Sequence, residues 1–171
     1  CPCGYLGDDR RDCSCTPMAV QRYRARLSGP LLDRLDLQVA VPAVPWRQLS
    51  AHRRGEASAV VAARVAAARA RQAARFAGHP LRSNGEMGPE EIRRWARPDG
   101  DGRRLLEHAS RGLGLSARAY HRILRVARTI ADLAATEALS AAHLAEAIAY
   151  RCLDREPASR PKAVDGWPAG P

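Results

Sequence analysis

The chain has 171 residues, 46% of them hydrophobic, 27% charged and 5% aromatic, and carries a formal net charge of +10 with a pI near 10.4. That length suits one domain or one and a half, and the composition can bury a core, which excludes global disorder. It contains no apolar run of about 18 residues that would span a membrane, and no charged start leading into an apolar stretch that would read as a secretory signal.

The first feature in chain order is a cysteine cluster, Cys1-Pro2-Cys3-Gly4 and Cys13-Ser14-Cys15, separated by the turn-rich stretch Gly4-Tyr5-Leu6-Gly7-Asp8-Asp9. Such a stretch can fold back and bring the pairs together. Four thiolates at tetrahedral corners suit zinc, so Cys1, Cys3, Cys13 and Cys15 are the candidate metal ligands. Two disulfides, a redox-labile cluster or free thiols are the alternatives. The fifth cysteine, Cys152, sits in a helical pattern and reads as buried packing.

Thr16-Pro17 reads as an N-cap followed by Pro at the first helical position, opening a helix with Val20, Tyr23 and Leu27. Ser28-Gly29-Pro30 breaks it and starts a short turn through Leu31-Leu32-Asp33-Arg34. The alternation from Leu35 to Val41 predicts a strand, ended by Pro42 and Pro45. Residues 42 to 57 read as a loop or linker.

From Ser58 the pattern is helical. Ser58 is expected to cap a long Ala-rich helix to about Phe76, with Val61, Val65, Ala68, Gln72 and Phe76 on one face and Arg64, Arg71 and Arg75 on another. Further helices are expected after Gly88-Pro89, from about Gly102 to Arg111, from Ala117 to about Ala135 behind Ser116, and from Ala141 to about Leu153 behind Ser140. In the fourth, Arg118, Arg122, Arg125 and Arg128 form one stripe. Tyr120, Ile123, Val126, Ile130 and Leu133 are placed opposite. By itself such a stripe is a solvated face, and solvation is the expectation for Arg128. After Arg155 the chain is rich in Pro and Gly and reads as a disordered tail. The five histidines show no metal-ligand spacing, and His121 reads as surface.

The fold class expected is mainly α: the C-terminal remnant of an α/β core with one strand, followed by a helical bundle. The domains are then residues 1–57, 58–155 and a tail at 156–171. The chain opens with Cys1 and its first Met is Met18, so it reads as a portion of a longer protein. The basic residues are 27 Arg and Lys162, and the basic balance favours anionic partners such as nucleic acid or nucleotide phosphates.

Two long blocks, Arg26 to Leu37 (RLSGPLLDRLDL) and Gly114 to Leu133 (GLSARAYHRILRVARTIADL), resemble the magnesium-chelatase-like AAA+ ATPases of the YifB/ComM type. The cysteine cluster, Gly55-Glu56-Ala57-Ser58 and the turn Asn84-Gly85-Glu86-Met87 match that family too. The resemblance covers about residues 1 to 155. It implies an ATPase using ATP with Mg and assembling as a ring, usually of six subunits. It also implies a cytoplasmic place and DNA as partner, in branch migration during recombination and natural transformation. Residues 1–57 would then be the end of the AAA+ core and 58–155 the family's helical C-terminal domain. The family's phosphate-binding loop and acidic Mg motif precede the cysteine cluster. This chain holds no G-x4-G-K-[ST], so alone it is not expected to hydrolyse ATP.

The resemblance also assigns two residues. Arg34, in Leu-Leu-Asp-Arg-Leu-Asp, matches the arginine finger supplied to a neighbouring subunit's nucleotide; the alternative is an ion pair with Asp33 or Asp36. Arg118 matches the second-sensor arginine that touches the γ-phosphate. A planar, permanently charged guanidinium suits both roles, because phosphoryl transfer spreads charge over several oxygens. Two other functions stay open: a zinc-containing nucleic-acid-binding module without catalysis, and a magnesium chelatase ATPase subunit.

Overall fold

The computed structural model describes residues 1–8, 10–41, 44, 46, 50 and 55–151. Cys152, the tail at 156–171 and much of the 42–57 linker lie outside the described residues. The helices described are α1 (Pro17–Arg24), α2 (Gly29–Leu32), α3 (Ser58–Arg75), α4 (Pro89–Trp95), α5 (Gly100–Leu113), α6 (Ala117–Leu133) and α7 (Ala141–Ala149), with a 3-10 turn at Asn84–Glu86. The fold is mainly α, as the sequence predicts.

Capping chemistry sets most of the boundaries. Thr16 Oγ1 accepts from the Ala19 N–H at 3.3 Å, Ser28 Oγ from Leu31 N–H at 3.3 Å and Ser116 Oγ from Ala119 N–H at 3.1 Å. Each supplies an acceptor for an amide that has no partner inside the first turn. Ser140 caps α7 together with His143, whose Nδ1 accepts from the Ser140 N–H at 3.2 Å. Several boundaries differ from expectation: α1 ends at Arg24, short of Leu27, and α7 at Ala149, short of position 153. The N-cap of α3 is Ala57, with Ser58 already inside the helix and no side-chain cap. Helix α5 starts behind Asp99, whose Oδ1 accepts from Gly102 N–H at 2.7 Å, and runs on to Leu113. Its stop is Gly114, at φ 58°, a left-handed conformation that costs glycine little.

The expected strand at 35–41 does not form. Gln38 makes one isolated parallel bridge to Arg151, with Gln38 N–H donating to Tyr150 O at 2.8 Å. No neighbouring strand is present among the described residues to extend that pairing. Val39 and Val41 of the same segment are 65% and 84% exposed.

The core is built on α6, which packs against α7, α3, α4 and the 3-10 turn, while α5 packs on α7. Ile123, Leu124, Leu106, Leu144, Met87 and Ile92 are buried there, and each such side chain contributes about 1.5–3 kcal/mol by leaving water. The inward face of α6 is Ala119, Ile123, Leu124, Ala127, Arg128, Ala131 and Asp132. It is rotated from the expected one: Tyr120 and Leu133 are 37% and 42% exposed. Three alanines form the centre of the true face because neighbouring helices approach closely there. Gly102 obeys the same constraint, since a Cβ there would lie 2.7 Å from Leu144 Cδ1. Among the described residues no helix is long and apolar enough to cross a membrane.

Candidate nucleotide-facing arginines and a four-cysteine centre

The cysteine pairs do converge. The Sγ atoms of Cys1, Cys3, Cys13 and Cys15 all lie within 4.8 Å of one another. Individual separations are 3.4 Å for Cys1–Cys3, 3.5 Å for Cys3–Cys13 and 3.6 Å for Cys1–Cys13. A tetrahedral metal with sulfur at about 2.3 Å requires sulfur–sulfur separations of about 3.8 Å. The thiols are half-buried and unpaired, and the Leu6 N–H donates to Cys1 Sγ at 3.2 Å. Gly4 and Gly7, at φ 86° and 85°, provide the left-handed turns that fold the first pair back. A hydrogen bond from the Tyr5 backbone, with help from Cys15 and Cys13, lowers the Cys3 thiol to about 7. At Cys13 the Cys15 backbone bond acts downward, but burial and the neighbouring Cys3 and Cys15 thiols outweigh it and raise the thiol. The donor set therefore fits a metal ion.

The segment carrying Arg34 is fastened to the helical bundle by its two acids. Asp33 Oδ2 accepts from Ser116 Oγ at 2.8 Å, and Asp33 Oδ1 from Arg151 at 3.3 Å. Asp36 is paired with Arg122. Arg151, buried at the end of α7, also donates to the Leu35 carbonyl at 3.0 Å. Both carboxylates that could have neutralised Arg34 are thus committed elsewhere. Arg34 is exposed, and its guanidinium has no partner among the described residues.

The arginine stripe of α6 divides in the same way. Arg122 is taken by Asp36, and Arg125 donates to Gly85 O at 2.8 Å. Burial, with the Arg122 charge, pushes the Arg125 guanidinium below its ordinary value. Arg128 is not solvated, contrary to the sequence expectation: it is 2% exposed. It donates to Asp132 Oδ1 at 3.2 Å and to the Glu137 and Thr136 carbonyls at 2.6 and 2.5 Å. Those carbonyls close the turn after α6, and a guanidinium with five donors can satisfy all three acceptors at once. Arg118 stays exposed in the first turn of α6, with no side-chain partner among the described residues.

Sequence reasoning missed the polar centre around Asp132. Its carboxylate is fully buried and pairs with Arg75. It also accepts from Asn84 Nδ2 at 2.7 Å. Arg75 Nη1 donates to Asn84 Oδ1 at 2.9 Å, and Asn84 Nδ2 reaches Thr129 Oγ1 at 3.1 Å. The signal available was Asn84 in its turn together with Arg75, Arg128 and Asp132 at helical spacing on facing elements.

The helical bundle thus grips the Asp33–Asp36 segment while Arg34 and Arg118 stay exposed. Residues 55–151 match the family model described as magnesium chelatase, subunit ChlI C-terminal, and residues 1–49 match magnesium chelatase, subunit ChlI. The chain belongs to this family, a family of AAA+ ATPases. Among curated relatives it is 43% identical over 152 residues to the uncharacterized protein YifB of Salmonella typhimurium. It is 44% identical to the competence protein ComM of Haemophilus influenzae and 40% identical to an uncharacterized protein of Mycobacterium tuberculosis, Rv2897c. Each alignment covers 88% of this chain and 28–29% of the relative. The chain thus spans less than a third of the length of these relatives.

Proposed function

We propose that this chain is the C-terminal portion of a cytoplasmic, ring-forming AAA+ ATPase that couples ATP binding and hydrolysis, with Mg, to DNA processing. Residues 1–57 close the AAA+ core and residues 58–155 form the helical domain that senses nucleotide state. Arg34 is the finger delivered to a neighbour's nucleotide, and Arg118 reads the γ-phosphate. The observation that carries this reading is selective: the acids beside Arg34 and the partners of Arg122, Arg125 and Arg128 are consumed by packing, while Arg34 and Arg118 keep exposed, unneutralised guanidiniums.

The test is made in the full-length protein. Arg118→Ala is expected to weaken affinity for ATP more than for ADP, because only ATP carries the γ-phosphate. Arg111→Ala, which removes a solvent-exposed charge paired with Glu107 on α5, serves as the control and is expected to change neither. Equal effects of the two substitutions on both nucleotides would remove the sensor assignment.

The four cysteines are assigned to zinc, which takes four sulfur ligands in a closed structural site. Protein purified without chelators is expected to hold about one zinc per chain. Chelation is expected to increase hydrogen exchange in residues 1 to 15, because the turns there have few apolar contacts to hold them. Elemental analysis showing no metal, with all four thiols free, would overturn the assignment.

A further inference from the structure

An open cleft of about 570 Å³ lies between the C-terminal half of α3, the end of α4 and the turn joining α6 to α7. Its lining includes Arg71, Arg75, Arg94, Arg97 and Arg128, with Glu137 and the Trp95 ring. Arg75 and Arg128 share the single carboxylate of Asp132. The other three are exposed and held by neutral groups. Arg71 Nη1 donates to the Asp132 carbonyl at 3.3 Å, Arg94 lies 4.8 Å over the Trp95 ring, and Arg97 donates to the Arg93 carbonyl. Trp95 is fixed in turn by edge contacts to Phe76 and His79, with ring centroids 5.1 and 5.3 Å away.

A cation oriented by a carbonyl or a ring face keeps its charge. Five guanidiniums here face two carboxylates, and the three at the mouth are pre-positioned without being neutralised. The cleft is open and carries no glycine loop to wrap a polyphosphate. The Trp95 face is occupied by Arg94, so no ring is offered to a base. These features fit a run of phosphates read without regard to sequence. We propose that this cleft binds the phosphodiester backbone of nucleic acid. The inference rests on the DNA-processing reading and deepens it by assigning the contact to Arg71, Arg94 and Arg97, which are side chains distinct from Arg34 and Arg118.

The test uses the 171-residue chain and a fluorescein-labelled DNA duplex, followed by anisotropy across a salt series. The triple variant Arg71→Ala/Arg94→Ala/Arg97→Ala is expected to lower affinity about tenfold or more, and to flatten the plot of log K against log salt by about 2–3. Circular dichroism should be unchanged, since all three side chains are exposed. Arg22→Ala/Arg24→Ala/Arg26→Ala, on α1 and the turn just after it, removes the same charge and is expected to leave the slope closer to wild type. Equal losses from both triples, or no DNA binding by the parent chain, would overturn the assignment. So would displacement of the DNA by ATP or inorganic phosphate at equivalent ionic strength, which would mark a small-anion site. ATPase activity of the full-length cleft variant, measured without DNA, separates the two readings: its retention with loss of DNA binding supports the cleft, whereas loss of DNA binding by Arg34→Ala would count against it.

Discussion

Arg34→Ala in the full-length protein is expected to leave ATP binding close to wild type and to reduce turnover by about 10³-fold or more. A guanidinium supplied to the transferring phosphoryl group acts on charge that develops in the transition state, so its loss falls on the chemical step and not on binding. The local structure makes the substitution clean. The Arg34 side chain holds nothing in place, because its segment is fastened through Asp33 to Ser116 and Arg151 and through Asp36 to Arg122. Alanine should therefore preserve the fold. Mixing the variant with subunits defective in the phosphate-binding loop is expected to restore part of the activity, since one kind of interface then pairs an intact finger with an intact nucleotide site. Steady-state ATPase measures both, and normal turnover in the single variant would return Arg34 to an ordinary surface role.

Asp132→Ala is expected to destabilise the helical bundle by about 3–5 kcal/mol, the range for removing one partner of a buried ionic group. Arg75 and Arg128, with side chains 10% and 3% exposed, would be left without a counter-charge, and Asn84 would lose an acceptor. Denaturant unfolding of the chain measures this. Burial alone would raise the Asp132 carboxyl, but hydrogen bonds from Arg75 and Asn84 and the charges of Arg75 and Arg128 outweigh it and hold the group below its usual range. A depressed folded value means the carboxylate's contribution is present above about pH 4, the ordinary aspartate value, and fades as the pH falls through the lower folded one. The wild type should lose stability across that acidic window, and the Asp132→Ala chain should lose less there. An unfolding midpoint equal to wild type at neutral pH would rule the buried pairing out as a stabilising element.

Helix starts were legible at Thr16, Ser116 and Ser140, whose side chains accept from the first turn or its box, whereas the caps at Ser28 and Asp99 were not read as such. The cysteine cluster was legible because turn residues between two close pairs leave few ways to arrange them. The strand at 35–41 was not, because alternation reports a half-buried face only when a partner strand is present to bury it. The role of Arg128 was hidden for a related reason. Its position in a stripe of four arginines suggested water, yet the helix is rotated so that alanines face inward and Arg128 lies at the edge of that face beside Asp132. Charge type says which groups need partners. It does not say which of four equally spaced arginines will meet one, because that depends on Asp36, Gly85 and Asp132 being brought up from distant parts of the chain.

The grip of Arg151 on the Asp33–Leu35 segment has a consequence for the order of events during synthesis. Its bonds to the Leu35 carbonyl and the Asp33 carboxylate join residues 116 and 118 positions apart. Contacts of that separation form only after the intervening chain exists and has collapsed. On a ribosome, the Arg34 loop is made before α7 and stays unanchored on this side until α7 has emerged and packed. The segment carrying Arg34 therefore takes up its final position only once the helical bundle is complete, so the last-made helix fixes a loop made more than a hundred residues before it.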